Sequence, residues 1–371
     1  MVADYLIVGS GLTGATIART LVDHGHDVLV LERRTHVGGN VHDHLHECGI
    51  RIHTYGPHYF RTGSERIWNF VCRFADFYKF EAVLMTRVDG RLEHWPVQSE
   101  YIERMIGSSW SPARCGTATN FEEASLAMMP AMVYEKFVRG YSAKQWGVDP
   151  KLLEPGLSGR FDVRHGEARL KTSRYQGIPV GGYAGFMRNM LRGVPILTGI
   201  DYLKCRDRFS ARKLVVFTGP IDEYFNFVLG KLTYRGQRRE HVFMPGVQWH
   251  QPVPQVNYPD PTVPFIRTLE WKHMMEPDEI RNISGSVITR ETPYSPSDAG
   301  DYEYPFPEAT NRRLYEKYRD RAGTVENLLV CGRLGESRYF DMDQAIGRAL
   351  MIANRILHGE QGQGQLLADE A

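Results

Sequence analysis

No stretch of this 371-residue chain approaches the roughly 18 consecutive apolar residues that a membrane-crossing helix needs, so no membrane partner is expected. Cysteine is scarce. Cys48, Cys72, Cys115, Cys205 and Cys331 are scattered and never fall in a C-x-x-C pair. An odd, dispersed set argues against a disulfide framework and reads as reduced thiols of a cytoplasmic protein. An excess of one charge is lacking too. Forty-five Lys and Arg against 44 Asp and Glu leave a net charge of +1, which gives no reason to expect nucleic acid or an acidic membrane surface. The first residues run straight into an apolar strand, so no signal peptide is expected. Catalytic signatures are also missing: no serine lies in G-x-S-x-G, no cysteine has a local histidine signature, and no pair of carboxylates stands out. A chain without its own nucleophile or acid–base set points to a cofactor that carries the chemistry.

What is present opens at residues 4–40. The apolar run Tyr5 to Val8 reads as a buried parallel strand. Gly9, Gly11 and Gly14 follow in G-x-G-x-x-G spacing and lead into a helical pattern; a second apolar run, Val28 to Leu31, ends in Glu32. Strand, glycine turn, helix and an acid about 20 residues on are the context in which this motif binds a dinucleotide. Gly9 permits the tight turn, Gly11 lets backbone approach a pyrophosphate, and Gly14 lets helix and strand pack closely. The helix N-terminus faces the phosphates, and Glu32 would take a ribose hydroxyl.

With 42% hydrophobic and 24% charged residues the chain is globular and long enough for two or three domains. Ile50-Arg51-Ile52 suggests a short strand, and Gly56-Pro57-His58 a turn back towards the cofactor. Residues 64–78 present Ile67, Phe70, Val71 and Phe74 as one helical face, and 83–97 read as a hairpin turning at Asp89-Gly90. From about 98 to 147 the pattern is helical; Leu214–Phe217 and Leu328–Val330 read as strands that return to the dinucleotide sheet; 232–292 alternate as antiparallel sheet; 311–321 and about 343–357 are helical. The expected architecture is α/β: a discontinuous Rossmann-like domain from residues 1–62, 177–228 and 323–358, an inserted mostly helical domain (63–155), a mobile basic loop (156–176), an antiparallel-sheet substrate domain (229–322) and a disordered Gly/Gln-rich tail (359–371).

Two clusters bear on the site. His42, His44 and His46 alternate and would share a face if extended; three such histidines could bind zinc, but the segment is read as a polar strand or loop beside the cofactor and no metal is expected. Residues 156–177 carry Arg160, Arg164, Arg169, Lys171 and Arg174 between glycines, a composition that suits a solvated loop or a mobile lid over a phosphate. Arginine and tyrosine also recur in turn-rich positions, at Arg160, Arg267, Arg333, Tyr141, Tyr304 and Tyr339. Arginine binds diphosphate bidentately and tyrosine can donate to the same oxygens.

Glu32-Arg33-Arg34 followed by Gly38-Gly39-Asn40 resembles the flavoprotein family of amine oxidases, phytoene desaturases and sugar mutases, which implies FAD rather than NAD. The resemblance narrows further on. Tyr141 to Gly147 (Y-S-A-K-Q-W-G), Tyr175 to Tyr183, Phe217 to Phe225 and Gly332-Arg333-Leu334 with Tyr339-Phe340-Asp341-Met342 resemble the UDP-galactopyranose mutases, in order and spacing from residue 4 to about 355. That family implies a three-domain flavoprotein, usually a homodimer in bacteria, that interconverts pyranose and furanose forms of a nucleotide-diphosphate sugar with no net redox change. It implies reduced FAD as the active form, its N5 acting as nucleophile on the anomeric carbon, with NADPH or NADH as reductant.

Carried over by motif, Arg160 and Arg267 match the two diphosphate arginines, and His58 a histidine near the flavin ring; these are the residues expected to carry catalysis. Tyr141, Ser142, Trp146, Arg235, Asn257, Tyr339 and Asp341 match substrate-side positions, as does Tyr304 after a one-residue shift. Gly9, Gly11, Thr13, Gly14, Glu32, Arg33, Gly39, Asn40, His58, Tyr59, Thr218, Arg333, Phe340, Asp341 and Met342 are the implied cofactor contacts. The chain departs from the family at Arg61, where G-P-H-x-F-H has a second histidine, at Ala82, where asparagine is common, and in the shortened segment around Leu170. These departures leave the substrate open between UDP-galactose and a related nucleotide sugar: another hexose, a deoxy or keto sugar, or another nucleoside diphosphate. The competing expectations are an FAD-dependent amine oxidase or desaturase, and a binding protein of this superfold without functional FAD.

Overall fold

A computed structural model describes residues 1–108, 110, 118–359 and 362–367, apart from the side chain of Arg160. A five-stranded parallel sheet organises the molecule. Its order is Ile196–Thr198, Val28–Glu32, Val2–Val8, Ser210–Phe217, Leu328–Val330. Three separate stretches of chain supply it, as the glycine motif and the two later apolar runs require. Successive side chains of a strand point to opposite faces. Tyr5, Ile7, Val28, Val30, Val216 and Leu329 therefore enter one core, with the helices Leu12–Asp23, Gly182–Met190 and Met342–Leu357. Leu6, Leu29, Leu31, Phe217 and Val330 enter the other, with Tyr318 and Ala322 of the helix Ala309–Ala322. Burial on both faces explains why these strands read as continuous apolar runs.

The second sheet has seven strands, ordered Tyr304–Pro305, Tyr234–Met244, Ser286–Tyr294, Arg267–Glu270, Gln255–Asn257, Leu84–Val88, Arg91–Trp95. Its pairs are antiparallel except that Gln255–Asn257 runs parallel to Leu84–Val88. The hairpin at Asp89-Gly90 thus extends this sheet, although its residues lie within the segment read as mostly helical; Asp89 and Gly90 both take positive φ, the conformation of a tight hairpin turn. The helices Ser99–Ile106, Phe121–Met128 and Gly140–Trp146 cover the hairpin, and Leu84, Trp95, Tyr101, Phe121 and Phe137 form their common core.

Two local expectations change. The helical face predicted over 64–78 stops early: the helix is Glu65–Val71, and Phe77–Tyr78 pair with Ile178 and Pro179. The aromatics favour the pleated edge once a partner strand is present. The tail read as disordered contains a helix, Gln363–Leu367, whose Leu366 is fully buried. Gln363 Oε1 there accepts from the Val330 N–H, covering the edge strand of the parallel sheet. Among the described residues no helix is long and apolar enough to cross a membrane.

Candidate active site

Two cavities meet in the middle of the molecule. The first lies over the carboxyl ends of the parallel strands and is lined by Gly9, Gly11, Thr13, Gly14, Glu32, Arg33, Gly39, Thr218 and Phe340. Its shape depends on two glycines. Gly9 has φ +103°, and a Cβ on Gly14 would lie 2.0 Å from the Gly9 carbonyl oxygen. The helix Leu12–Asp23 starts there with no side-chain cap on its first turn, so its N–H groups and positive dipole end are open to the cavity. Glu32 is buried, and its carboxylate accepts from the Ser10 N–H at 2.8 Å, the Ser10 hydroxyl at 2.6 Å and the Arg34 N–H at 2.8 Å. Capacity remains on its oxygens for one ribose hydroxyl. Arg33 is anchored to Glu223 at 2.7 Å. The residues present therefore fit an extended dinucleotide, with pyrophosphate at the glycine turn and ribose at Glu32.

Asn40, His58, Arg333 and Met342 line both cavities and mark their junction. His58 Nδ1 lies 2.7 Å from the Gly56 carbonyl, which can only accept, so Nδ1 carries the proton and the Nε2 lone pair is left open. Burial, helped by the Arg333 charge, pulls the His58 pKa down to about 3, so the ring is neutral at physiological pH. Arg333 Nη2 donates to the Phe340 carbonyl at 2.8 Å, and its guanidinium lies 4.7 Å from the Tyr339 ring centroid.

The second cavity is lined by Tyr141, Ser142, Trp146, Asn257, Arg267, Tyr304, Tyr339 and Asp341, eight of the residues assigned to substrate. Arg267 is held by a buried chain of charges on one face of the large sheet. Glu291 is the cross-strand neighbour of both Arg239 and Arg267. Arg267 Nε bonds Glu291, Arg239 Nε bonds the same carboxylate at 2.8 Å, and the Arg239 fork engages Glu303 at 2.8 and 2.9 Å. Burial raises the Glu291 carboxyl's pKa, but the two guanidiniums more than offset this and it lies below its usual range. With Nε committed, the two Nη groups of Arg267 carry no partner among the described residues. They offer a fork of the geometry that phosphate oxygens accept. Tyr304 and Tyr339 stack with ring planes 10° apart and centroids 6.1 Å apart. The far end of the cavity is apolar, walled by Leu84, Trp95, Phe137, Phe161 and Leu170.

Several assignments change. Tyr59 and Asp341, read as cofactor contacts, line the second cavity and not the first. Tyr59 follows Pro57-His58; its ring stacks on Phe80, and its hydroxyl is shielded from solvent with no partner among the described residues. Arg235, read as a substrate contact, does not line the cavity. Its guanidinium is spent on the Gln145 carbonyl at 2.8 Å, the Lys144 carbonyl at 3.1 Å and the Ser295 hydroxyl at 2.6 Å. It caps the end of the helix Gly140–Trp146 and positions Tyr141 and Trp146 from outside. The side chain of Arg160 lies outside the described residues. His42 stacks on His36, His42 and His44 share Thr54, and His46 meets Cys48; among the described residues no group of three or more His, Cys, Asp or Glu is placed to hold a metal.

Gln255, Glu303 and Tyr55 line the second cavity without having been singled out, and Lys171, named only as part of the basic segment, lines it too. Alternation along the strand Gln255–Asn257 would have found Gln255, which donates to Asn257 Oδ1 at 2.8 Å. No local signal marks Glu303, whose place depends on strands far apart in sequence.

Comparisons with known proteins agree with this layout. The family model UDP-galactopyranose mutase (GLF) matches residues 136–339, and an NAD(P)-binding Rossmann-like domain matches residues 7–74. The chain is 30% identical to the dTDP-fucopyranose mutase of Escherichia coli, over 94% of this chain and 97% of that protein. It is 28% identical to a probable UDP-galactopyranose mutase of Klebsiella pneumoniae, over 98% and 97%. A crystal structure of reduced UDP-galactopyranose mutase superposes with a TM-score of 0.73 at 15% identity, covering 98% of this chain and 97% of the other. With a family match over more than half its length and a relative 30% identical nearly end to end, the chain belongs to the UDP-galactopyranose mutase family of isomerases.

Proposed function

We propose that this enzyme is an FAD-dependent mutase that interconverts the pyranose and furanose forms of a nucleotide-diphosphate sugar. The observation that carries this reading is the junction itself. A dinucleotide cavity opens through Asn40, His58, Arg333 and Met342 into a second cavity that presents the open guanidinium fork of Arg267 between tyrosines. An uncharged amine or polyene substrate gives no reason for such a fork at the end of a buried ion chain, whereas a diphosphate does.

FAD, when bound and reduced, supplies a nucleophile at N5 for the anomeric carbon. The protein does the rest. Arg267 holds the diphosphate as it leaves and keeps it in place to return, and Arg160 is its proposed partner. Tyr304 and Tyr339 stand on the same side of the cavity. The open Nε2 of His58 accepts a hydrogen bond at the junction without adding charge. Trp95, Phe137 and Phe161 wall the end away from the junction and suit the planar base of the nucleotide. NADPH or NADH is the proposed reductant.

The test is incubation of the dithionite-reduced protein with UDP-galactose and a panel of other UDP- and dTDP-hexoses, followed by chromatography. A new isomer of unchanged mass, formed over many turnovers per flavin, is expected. Stoichiometric reduction of the flavin by an amine or polyene in a parallel sample of the oxidised protein, with no isomer from any nucleotide sugar in the reduced one, would overturn the reading in favour of an oxidase.

A further inference from the structure

One buried histidine has no part in the account so far. His53 ends the strand Arg51–His53 and is 1% exposed. Its ring is boxed by two other buried rings, Trp271 with its centroid 5.3 Å away and Tyr183 edge-on at 5.4 Å. A ring nitrogen in such a place needs a partner, and Nδ1 finds one in the turn that follows. His53 Nδ1 accepts the backbone N–H of His58 at 3.0 Å, and the His53 carbonyl accepts the Gly56 N–H at 3.3 Å. Accepting at Nδ1 puts the His53 proton on Nε2. The Tyr183 hydroxyl donates to the His58 carbonyl at 3.2 Å. His58 lies outside any strand or helix, so side chains hold both of its main-chain polar groups. Between the two histidines Gly56 takes φ +94° and Pro57 has no N–H to offer.

We propose that His53 is a positioning residue: by taking the His58 N–H it fixes the turn Gly56-Pro57-His58 and aims the open Nε2 of His58 at the junction of the two cavities. The inference rests on the reading of His58 given above. A backbone held at both polar groups sets the direction of the His58 Cα–Cβ bond, and the 2.7 Å contact of Nδ1 with the Gly56 carbonyl sets the ring about it. Without the acceptor on His53 the turn keeps that inner contact but loses its tie to the boxed ring. A functional side chain whose support is removed in this way is loose by about an ångström, which is enough to spoil its aim.

The experiment measures the midpoint potential of FAD bound to the holoenzyme, for the wild type, His53→Phe, His53→Asn, His58→Phe and the double variant His53→Phe/His58→Phe. Phenylalanine fills the box between Trp271 and Tyr183 without an acceptor, whereas asparagine can place its Oδ1 where Nδ1 stood. Reduction gives a flavin an N–H donor, so an acceptor aimed at the junction favours the reduced form. His58→Phe should therefore lower the potential, by about 30 mV for a tenfold loss of preference for the reduced cofactor. His53→Phe should give most of that shift, the double variant no more than His58→Phe alone, and His53→Asn little of it. A merely structural role would lower the melting temperature of His53→Phe and leave its potential where it was. Flavin absorbance and thermal melting report folding; should His53→Phe fail there, His53→Gln, whose amide reaches past the Nδ1 position, takes its place. Shifts that add in the double variant, an unshifted His53→Phe beside a shifted His58→Phe, or a shift in His53→Asn as large as in His53→Phe would overturn this inference alone. An unshifted His58→Phe would overturn the reading of His58 at the junction and this inference with it. Potentials that follow the expected pattern in an enzyme that isomerises no nucleotide sugar would overturn the proposed function and leave His53 in its role.

Discussion

His58 stands at the junction, His53 packs beside it and His42 stacks on His36, and burial governs all three. It draws His53 and His58 down to about 3 and His42 to about 4, with Asp43 opposing it at His53, and the charge of Arg333 at His58 and the neighbour His36 at His42 adding to it. An unfolded histidine titrates near 6.5, so as pH falls the unfolded chain takes up these protons first. Folded pKa values below the unfolded one mean that the associated stability is complete above about pH 6.5. It is lost as pH falls from there through about 4 to 3. Thermal melting should therefore drop from about pH 6.5 downward, before most carboxylates titrate. A melting temperature flat between pH 6.5 and 5 would contradict the burial of these rings. At this scale the sequence was legible where one residue's chemistry is local. Gly9, Gly14 and Glu32 stand as the spacing predicts because strand, turn and helix are contiguous. Arg235 falls outside the cavity lining because its partners, the last carbonyls of a helix some 90 residues away, are set by packing and not by its own neighbours.

The helix Gly140–Trp146 carries the cavity residues Tyr141, Ser142, Gln145 and Trp146, and it grows out of a π-helical stretch, Tyr134–Arg139. Such wide turns re-aim side chains and are frequent at functional sites. Its outer side is pinned. Lys144 Nζ lies 2.5–3.0 Å from the carbonyl oxygens of Tyr258, Asp260, Val263 and Phe265, and a Cβ on Gly140 would lie 2.1 Å from the Pro259 oxygen. That loop joins Asn257 to Arg267, so one ammonium fixes the spacing of two cavity residues on neighbouring strands. Lys144→Met takes the ammonium donor from the Tyr258, Val263 and Phe265 carbonyls and leaves the Asp260 carbonyl only the Val263 N–H, and it should destabilise the fold by roughly 2–4 kcal/mol. It should also weaken UDP binding about tenfold or more while FAD is retained, since no cofactor residue touches the loop. Denaturant titration and UDP titration of the same sample check both, and unchanged UDP affinity would remove Lys144 from this role. The helix was legible from its pattern. The grip of Lys144 was not, because backbone carbonyls leave no trace in the side-chain sequence.

Across the whole molecule three separate stretches of chain supply the five strands of the parallel sheet, and its last strand depends on a later segment. The helix Gln363–Leu367 seats Leu366 in the core, caps the Val330 N–H through Gln363, and offers the Leu367 carbonyl to Arg348 at 2.8 Å. Deleting residues from 362 onward should lower the melting temperature by several degrees, as the loss of one buried leucine and of the hydrogen bonds to Val330, Arg348 and Arg355 implies. It should also loosen FAD, because Gly332 and Arg333 directly follow the strand it covers. Calorimetry with and without added FAD checks this; an unaltered melting curve would show that the helix stabilises nothing. The interleaved plan was visible in the positions of the apolar runs, whereas the joining of the hairpin 84–95 to the large sheet was not, since pairing between distant strands has no local signature. The sheet order has a consequence for synthesis. Val2–Val8 is synthesised well before one of its flanking strands, Ser210–Phe217, and the Gly332-Arg333 wall of the dinucleotide cavity arrives later still. A chain not yet extended past Arg333 exposes one side of its central strand and lacks a wall of the dinucleotide cavity, so the colour of bound flavin marks a translation product that has passed that point.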